Sequence, residues 1–204
     1  MKKEFFERIL SSIILIPIAL FFIVKGSFLF IFFILICFLI TSYEWHMMSK
    51  KKSYYLFGFV FLIFSFYTIY ELIDFAGSYT YFLLITLICV STDIGGYTFG
   101  KIFKGIKLTK ISPNKTYSGL IGSFLLSICV AIFIFNNLDF QINILLLAFL
   151  ISLFSQIGDL FISFLKRKAN IKDTGTFLPG HGGLLDRLDG IILAVPIGII
   201  LVSL

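Results

Sequence analysis

The stretch "AFLISLFSQIGDLFISFLKRK" (residues 148–168) is an apolar rod with one polar line drawn along it. Ser152, Ser155, Gln156, Asp159, Ser163 and Lys166 follow one another in steps of three or four, apart from the adjacent Ser155–Gln156 pair. On a helix such steps share one face. The apolar run around them, 142–164, reaches the roughly 20 residues that a helix needs to cross a bilayer, and it stops at three consecutive bases. Asp159 precedes Lys166 by seven residues, about 10 Å deeper along the axis at about 1.5 Å per residue. A lone carboxylate at a helix centre in lipid costs about 2.5–3.5 kcal/mol on insertion scales. Interhelical hydrogen bonding is one use that would justify it, and a charged site is the other. The cationic stretch Lys166, Arg167, Lys168, Lys172 is expected to supply the partner that Asp159 needs.

Six further apolar runs frame this one, at about 9–24, 27–43, 54–73, 79–99, 118–136 and 190–204. The chain has 204 residues, of which 59% are hydrophobic and 27 are Phe. Its mean hydropathy is +1.04. No soluble domain needs so much apolar surface. Lipid admits only helices or closed barrels, and none of the runs alternates with period two. The expected fold is therefore an all-α polytopic membrane bundle of about seven helices in one domain, 1–204. Within it, 1–90 would serve packing and lipid access, 91–190 would be catalytic, and 191–204 would be the last span. The charged start "MKKEFFERILSSIILIPIALFFIVK" lacks a small-x-small cleavage site and runs on into another apolar stretch, so it reads as a retained span. Cys37, Cys89 and Cys129 lie inside apolar runs without metal-ligand spacing and read as reduced thiols.

The net charge is +6, which raises the question of a nucleic-acid partner. The positions of the bases answer against it. With the N-terminus inside, Lys2, Lys3, Arg8, Lys50, Lys51, Lys52, Lys101, Lys104, Lys107, Lys110, Lys115, Lys166, Arg167, Lys168, Lys172 and Arg187 all fall on the inner side, and only Lys25 falls outside. The outer loops "ELIDFAGSYT" and "NNLDFQ" carry no base. This asymmetry predicts a cytoplasmic N-terminus, an external C-terminus and a cell-membrane location.

Two inner loops, 100–117 and 165–189, are long and polar, and chemistry is expected there. Asp93, in "LICVSTDIGGYTFGK", is an ionisable group within a span, beside a small-residue face formed by Thr92, Gly96 and Gly100. The segment "KDTGTFLPGHGGLLDRLDG" (172–190) combines bases, glycines and acids. Glycines let backbone N–H groups approach an anion. Asp186 and Asp189, three apart, would share a helix face. With Asp159 they would suit a hard divalent ion such as Mg²⁺, whose oxygen ligands often include substrate phosphates. The combination points to phosphoryl or nucleotidyl transfer. Walker A, dinucleotide-binding, zinc-protease and serine-hydrolase motifs are all missing.

"SFLKRKANIKDTGTFLPGHGGLLDRLD" (163–189) closely resembles the signature of the phosphatidate cytidylyltransferase, or CDP-diacylglycerol synthase, family. The match runs without a gap through Ser163, Lys166, Arg167, Lys172, Asp173, Gly175, Pro179, His181, Gly182, Gly183, Asp186, Arg187 and Asp189. Upstream, "DIGGYTFGK" and "ISPNKTYSG" are similar to family segments in the right order. Where members usually carry Glu just before the signature Ser, this chain has Ile162. The resemblance implies conversion of CTP and phosphatidate to CDP-diacylglycerol and pyrophosphate with Mg²⁺, in some members with a monovalent cation such as K⁺. It implies Asp159 and Asp186 as metal ligands with Asp189 close by. Lys166, Arg167, Lys172, His181 and Arg187 would meet phosphates or nucleotide, Ser163 would line the site, and Gly182 and Gly183 would belong to the nucleotide loop. It also implies a homodimer.

Three rivals stay open from the residues alone. One is a related lipid kinase or archaeal-type lipid cytidylyltransferase. Another is a cation-coupled transporter using Asp93 and Asp159 on glycine-interrupted helices. The last is a non-catalytic scaffold.

Overall fold

The computed structural model describes residues 17–76, 79–109, 112–135, 143–177 and 182–203. These residues are helical almost throughout. The helices are α1, described over residues 17–25, α2 (Ser27–Ser49), α3 (Tyr55–Ala76), α4 (Thr80–Phe103), α5 (Tyr117–Phe135), α6 (Ile144–Lys168) and α7 (Leu185–Val202). Among the described residues there is no sheet, only an isolated bridge between Lys107 and Thr116. Residues 1–16, where the expected first span begins, lie outside the described residues. So do Lys110, Pro179, Gly180 and His181.

Among the described residues, five helical stretches are long and apolar enough to cross a membrane: Phe28–Ser49, Tyr55–Asp74, Thr80–Phe103, Tyr117–Ile134 and Ile144–Lys168. They bear their apolar load outward as well as inward. Phe28, Leu56 and Phe133 are each more than 70% exposed, a surface that lipid solvates and water would not. Hydroxyls within the spans return to their own helix: Thr41 donates to the Cys37 carbonyl at 2.8 Å, Ser65 to Phe61 at 2.9 Å and Thr86 to Phe82 at 2.8 Å. That satisfies polar groups for which a bilayer offers no water. The three cysteines are free, Cys37 and Cys89 buried and Cys129 exposed.

The chain divides into two compact units. The first comprises Met1–Tyr70 and Leu165–Leu188. Here α2 runs six residues past the apolar stretch seen in the sequence, to Ser49. Its last turns pack on the start of α3. The Trp45 indole donates to the Tyr55 carbonyl at 3.0 Å, and a side chain at Gly58 would collide with the Trp45 ring. Deeper in the unit, Phe38 meets Phe66 edge-on at 5.3 Å.

The second unit comprises Glu71–Phe164 and Asp189–Leu204. Its helices approach closely through the small residues picked out in the sequence. A Cβ at Gly96 would lie 2.8 Å from Ser123 Oγ, and one at Gly100 would lie 3.1 Å from Thr116 Oγ1. Ser123 donates to the Thr92 carbonyl at 2.8 Å, and Thr92 donates to Ser152 Oγ at 2.9 Å. One chain of hydroxyls thus links α4 to both α5 and α6. Between α4 and α5 the chain doubles back, with Leu108 N–H on the Lys115 carbonyl at 2.8 Å and Tyr117 N–H on Ile106 at 3.1 Å. This fold-back turns Lys115 toward α6.

Candidate functional site

The first unit gathers the signature segment around two carboxylates. Asp186 stands in the first turn of α7. Its Oδ1 accepts from Lys166 Nζ at 2.7 Å, and its Oδ2 accepts from the backbone N–H of Thr174 at 2.8 Å and of Gly183 at 3.0 Å. Both partners of the ion pair are nearly enclosed, with side chains 11% and 6% exposed. Burial pushes the Asp186 carboxyl up, but the Lys166 ammonium and the two backbone N–H groups outweigh it and hold it below the ordinary carboxylate range. Gly182, at φ +84°, occupies the left-handed region that favours glycine.

The second carboxylate is Glu44, from near the end of α2, and it is only 3% exposed. Its Oε1 accepts from Leu184 N–H at 2.9 Å. Its Oε2 accepts from Leu185 N–H at 2.7 Å and from Thr174 Oγ1 at 3.2 Å. Glu44 lies one residue beyond 27–43, the apolar run that marks the second span, and so outside the candidate site residues. The signal was present: "TSYEWH" places one acid at the end of a long apolar run. Glu44 also accounts for Gly175 and, together with the Thr174 hydroxyl, for Gly183. A Cβ at Gly175 would lie 2.8 Å from Glu44 Oε1, and one at Gly183 would lie 2.6 Å from Oε2. The glycines suggested N–H groups free for an anion, yet those of Gly183, Leu184 and Leu185 already donate to the chain's own carboxylates.

Elsewhere in this unit Arg167 is exposed and donates to the Ile171 carbonyl at 3.3 Å. Lys168 stands over the Tyr54 ring at 5.2 Å. Lys172, Asp173 and Arg187 are exposed.

In the second unit Asp159 forms an ion pair with Lys115, and Ser163 Oγ donates to its Oδ1 at 3.2 Å. Its cation therefore comes from the 100–117 loop and not from the stretch 166–172. The fold-back of that loop brings in a base that the linear sequence leaves 44 positions away. The pair remains open, with side chains 25% and 29% exposed. Ser152 and Ser155 of the polar stripe are buried, whereas Asp93 is exposed. Asp189 accepts from its neighbour Gly190 N–H at 2.8 Å. Ile162 is buried. Among the described residues no group of three or more His, Cys, Asp or Glu side chains gathers at metal-holding distance.

The apolar helices define an all-helical, multi-pass membrane protein, in which bases, carboxylates and a glycine-rich segment meet at helix ends. Residues 52–204 match the cytidylyltransferase family, and the chain belongs to that family. It is 35% identical over 211 residues to a phosphatidate cytidylyltransferase of Rickettsia felis, a match covering 96% of this chain and 91% of the relative. It is 34% identical over 207 residues to a protein of the same name from Rickettsia typhi, with the same coverage of both chains. A phosphatidate cytidylyltransferase of Staphylococcus haemolyticus is 43% identical over 121 residues, 57% of this chain and 46% of that one.

Proposed function

We propose that the protein transfers a cytidylyl group from CTP to phosphatidate, yielding CDP-diacylglycerol for phospholipid synthesis and releasing pyrophosphate. The observation that carries this reading is the buried Lys166–Asp186 pair at the base of the glycine-rich signature loop, in a chain whose full-length relatives bear that activity in their names.

A phosphate oxygen of phosphatidate attacks the α-phosphorus of CTP in line, and the bond to the β-phosphate oxygen breaks. The phosphate nucleophile is already largely ionised at neutral pH, since such groups have a second pKa of about 6. The site therefore needs no strong general base. Rate comes from positioning and charge neutralisation. Lys166, Arg167, Lys172 and Arg187 are assigned to the phosphates and the leaving pyrophosphate, and Ser163, His181, Gly182 and Gly183 to the nucleotide side.

Mg²⁺ is proposed as the cofactor, with Asp159, Asp186 and Asp189 as its oxygen donors. Carboxylate oxygens are the donors that such a hard cation takes, and among the described residues these three do not gather at metal-holding distance. A carboxylate offers roughly four lone-pair sites, of which Asp186 uses three, and Asp159 is partly open. When bound, the ion would neutralise phosphate charge and polarise the reacting phosphoryl group. A monovalent cation such as K⁺ and a homodimer are proposed by family resemblance alone.

The distribution of bases supports seven spans in the inner membrane, with both long loops facing the cytoplasm. CTP would then arrive from the cytoplasm. Phosphatidate would enter sideways from the inner leaflet with its acyl chains still in lipid.

The test is turnover by purified protein in mixed micelles of detergent and phosphatidate, with Asp159→Asn and Asp186→Asn alongside. Full Mg²⁺-dependent activity in either intact variant would remove that carboxylate from the ligand set.

A further inference from the structure

The mechanism above makes no use of Glu44, a carboxylate at the end of a membrane-crossing helix. It lies outside residues 52–204, the part of the chain that matches the family. Its surroundings are unusual for a buried acid. No base pairs with it among the described residues. Instead it accepts two backbone N–H bonds at the start of α7, from Leu184 and Leu185, and the Thr174 hydroxyl.

Thr174 and Leu184 are the two ends of the glycine-rich segment. Glu44 ties them together from α2, as Asp186 ties Thr174 to Gly183 from α7. Thr174 is held by both carboxylates, by its backbone N–H on Asp186 and by its hydroxyl on Glu44. Two of the N–H groups that open α7, those of Leu184 and Leu185, are thus satisfied by an acid from another helix, which also suits the positive end of the helix dipole. Gly175 and Gly183 leave the space into which the Glu44 carboxylate fits.

We propose that Glu44 is a positioning residue for cytidylyl transfer. Its carboxylate closes the base of the signature loop and so keeps Asp186 in register with Lys166. This rests on the functional reading above. Glu44 touches no substrate and acts through the loop it closes.

The test uses full-length protein in phosphatidate mixed micelles, with Glu44→Ala, Glu44→Gln, Gly175→Ala and the Glu44→Ala/Gly175→Ala double variant. Two readouts are followed: kcat and KM for each substrate, and amide hydrogen exchange in peptides containing Leu184 and Leu185. Glu44→Ala should lower kcat about tenfold or more, equivalent to 1.36 kcal/mol or more of barrier. It should leave the phosphatidate KM near wild type and speed exchange at Leu184 and Leu185. Glu44→Gln keeps the size but offers one oxygen where three donors converge, so its kcat should fall by a smaller factor.

Gly175→Ala should impair the enzyme mainly while Glu44 is present, because the three heavy atoms nearest the added Cβ all belong to Glu44. The double variant should therefore be no worse than Glu44→Ala alone. If Glu44→Ala does not fold, Glu44→Gln and Gly175→Ala still decide the matter. Wild-type kcat and exchange in Glu44→Gln, or losses that multiply in the double variant, would overturn the proposal while leaving the function intact. An inactive wild type would defeat the functional reading and this inference with it.

Discussion

Two acid–base pairs, one in each compact unit, differ in how far the protein encloses them. Lys166–Asp186 is nearly closed: its carboxylate is held by an ammonium and two backbone N–H groups, and both side chains are largely shielded. Lys115–Asp159 is open, with a single serine hydroxyl as its further support. A closed pair is part of the architecture that carries it, and losing one member strands the other. An open pair contributes little to stability and keeps its oxygens within reach of a ligand. The comparison teaches that two carboxylates assigned one chemical role can have different dependencies. On the proposed function, Asp186 would couple activity to folding and Asp159 would separate them.

The largest effect should follow from breaking the closed pair. Asp186→Ala leaves Lys166 buried without its counter-charge, which in such settings costs about 3–5 kcal/mol. The expected outcome is a large loss of thermal stability together with loss of CTP incorporation, read by melting in detergent and by lipid labelling. Asp159→Asn should behave in the opposite sense. Incorporation should fall by about 100-fold or more, as when one preorganised electrostatic contact is removed from a transition state. The melting temperature should move far less than in Asp186→Ala, since a partly exposed pair contributes less than a buried one whose partner is stranded. A variant of Asp159 that unfolds would erase the contrast.

Gly182→Ala should cost about 1–2 kcal/mol from its left-handed backbone alone, with a further penalty from Asp186 Oδ2, 3.0 Å from the added Cβ. The smallest effect is in the pH dependence. Asp186 is held below its ordinary value of 3.8. Its ionic contribution is therefore fully present above that pH and lost as pH falls below it toward the folded value. The melting gap between wild type and Asp186→Asn should be flat above about pH 5 and should narrow below 3.8. A gap that widens on acidification would reverse the sign and contradict the placement of the pair.

The helical membrane class was legible because apolar runs of spanning length have few other uses. The small face of Gly96 and Gly100 was legible because close packing in lipid selects small side chains at helical spacing. The signature loop was legible as a local pattern, but not what its glycines face. Gly175 and Gly183 make room for a carboxylate more than 130 residues away, and no local pattern reports such a contact. Lys115 was hidden as the partner of Asp159 for the same reason. A fold-back held by Leu108, Tyr117 and their backbone partners brings it in, while sequence proximity favoured Lys166. Glu44 was missed at a boundary, because α2 outlasts its own hydrophobicity by six residues.

The central claim is that the nucleotide's α-phosphorus, and not its γ-phosphate, ends on the lipid. Purified protein given phosphatidate, Mg²⁺ and CTP labelled at either the α- or the γ-phosphate separates the two. The account predicts α-label in the lipid product and γ-label in pyrophosphate, in equal amounts. Label from the γ-position in lipid, with CDP as the by-product, would make the protein a lipid kinase and contradict it.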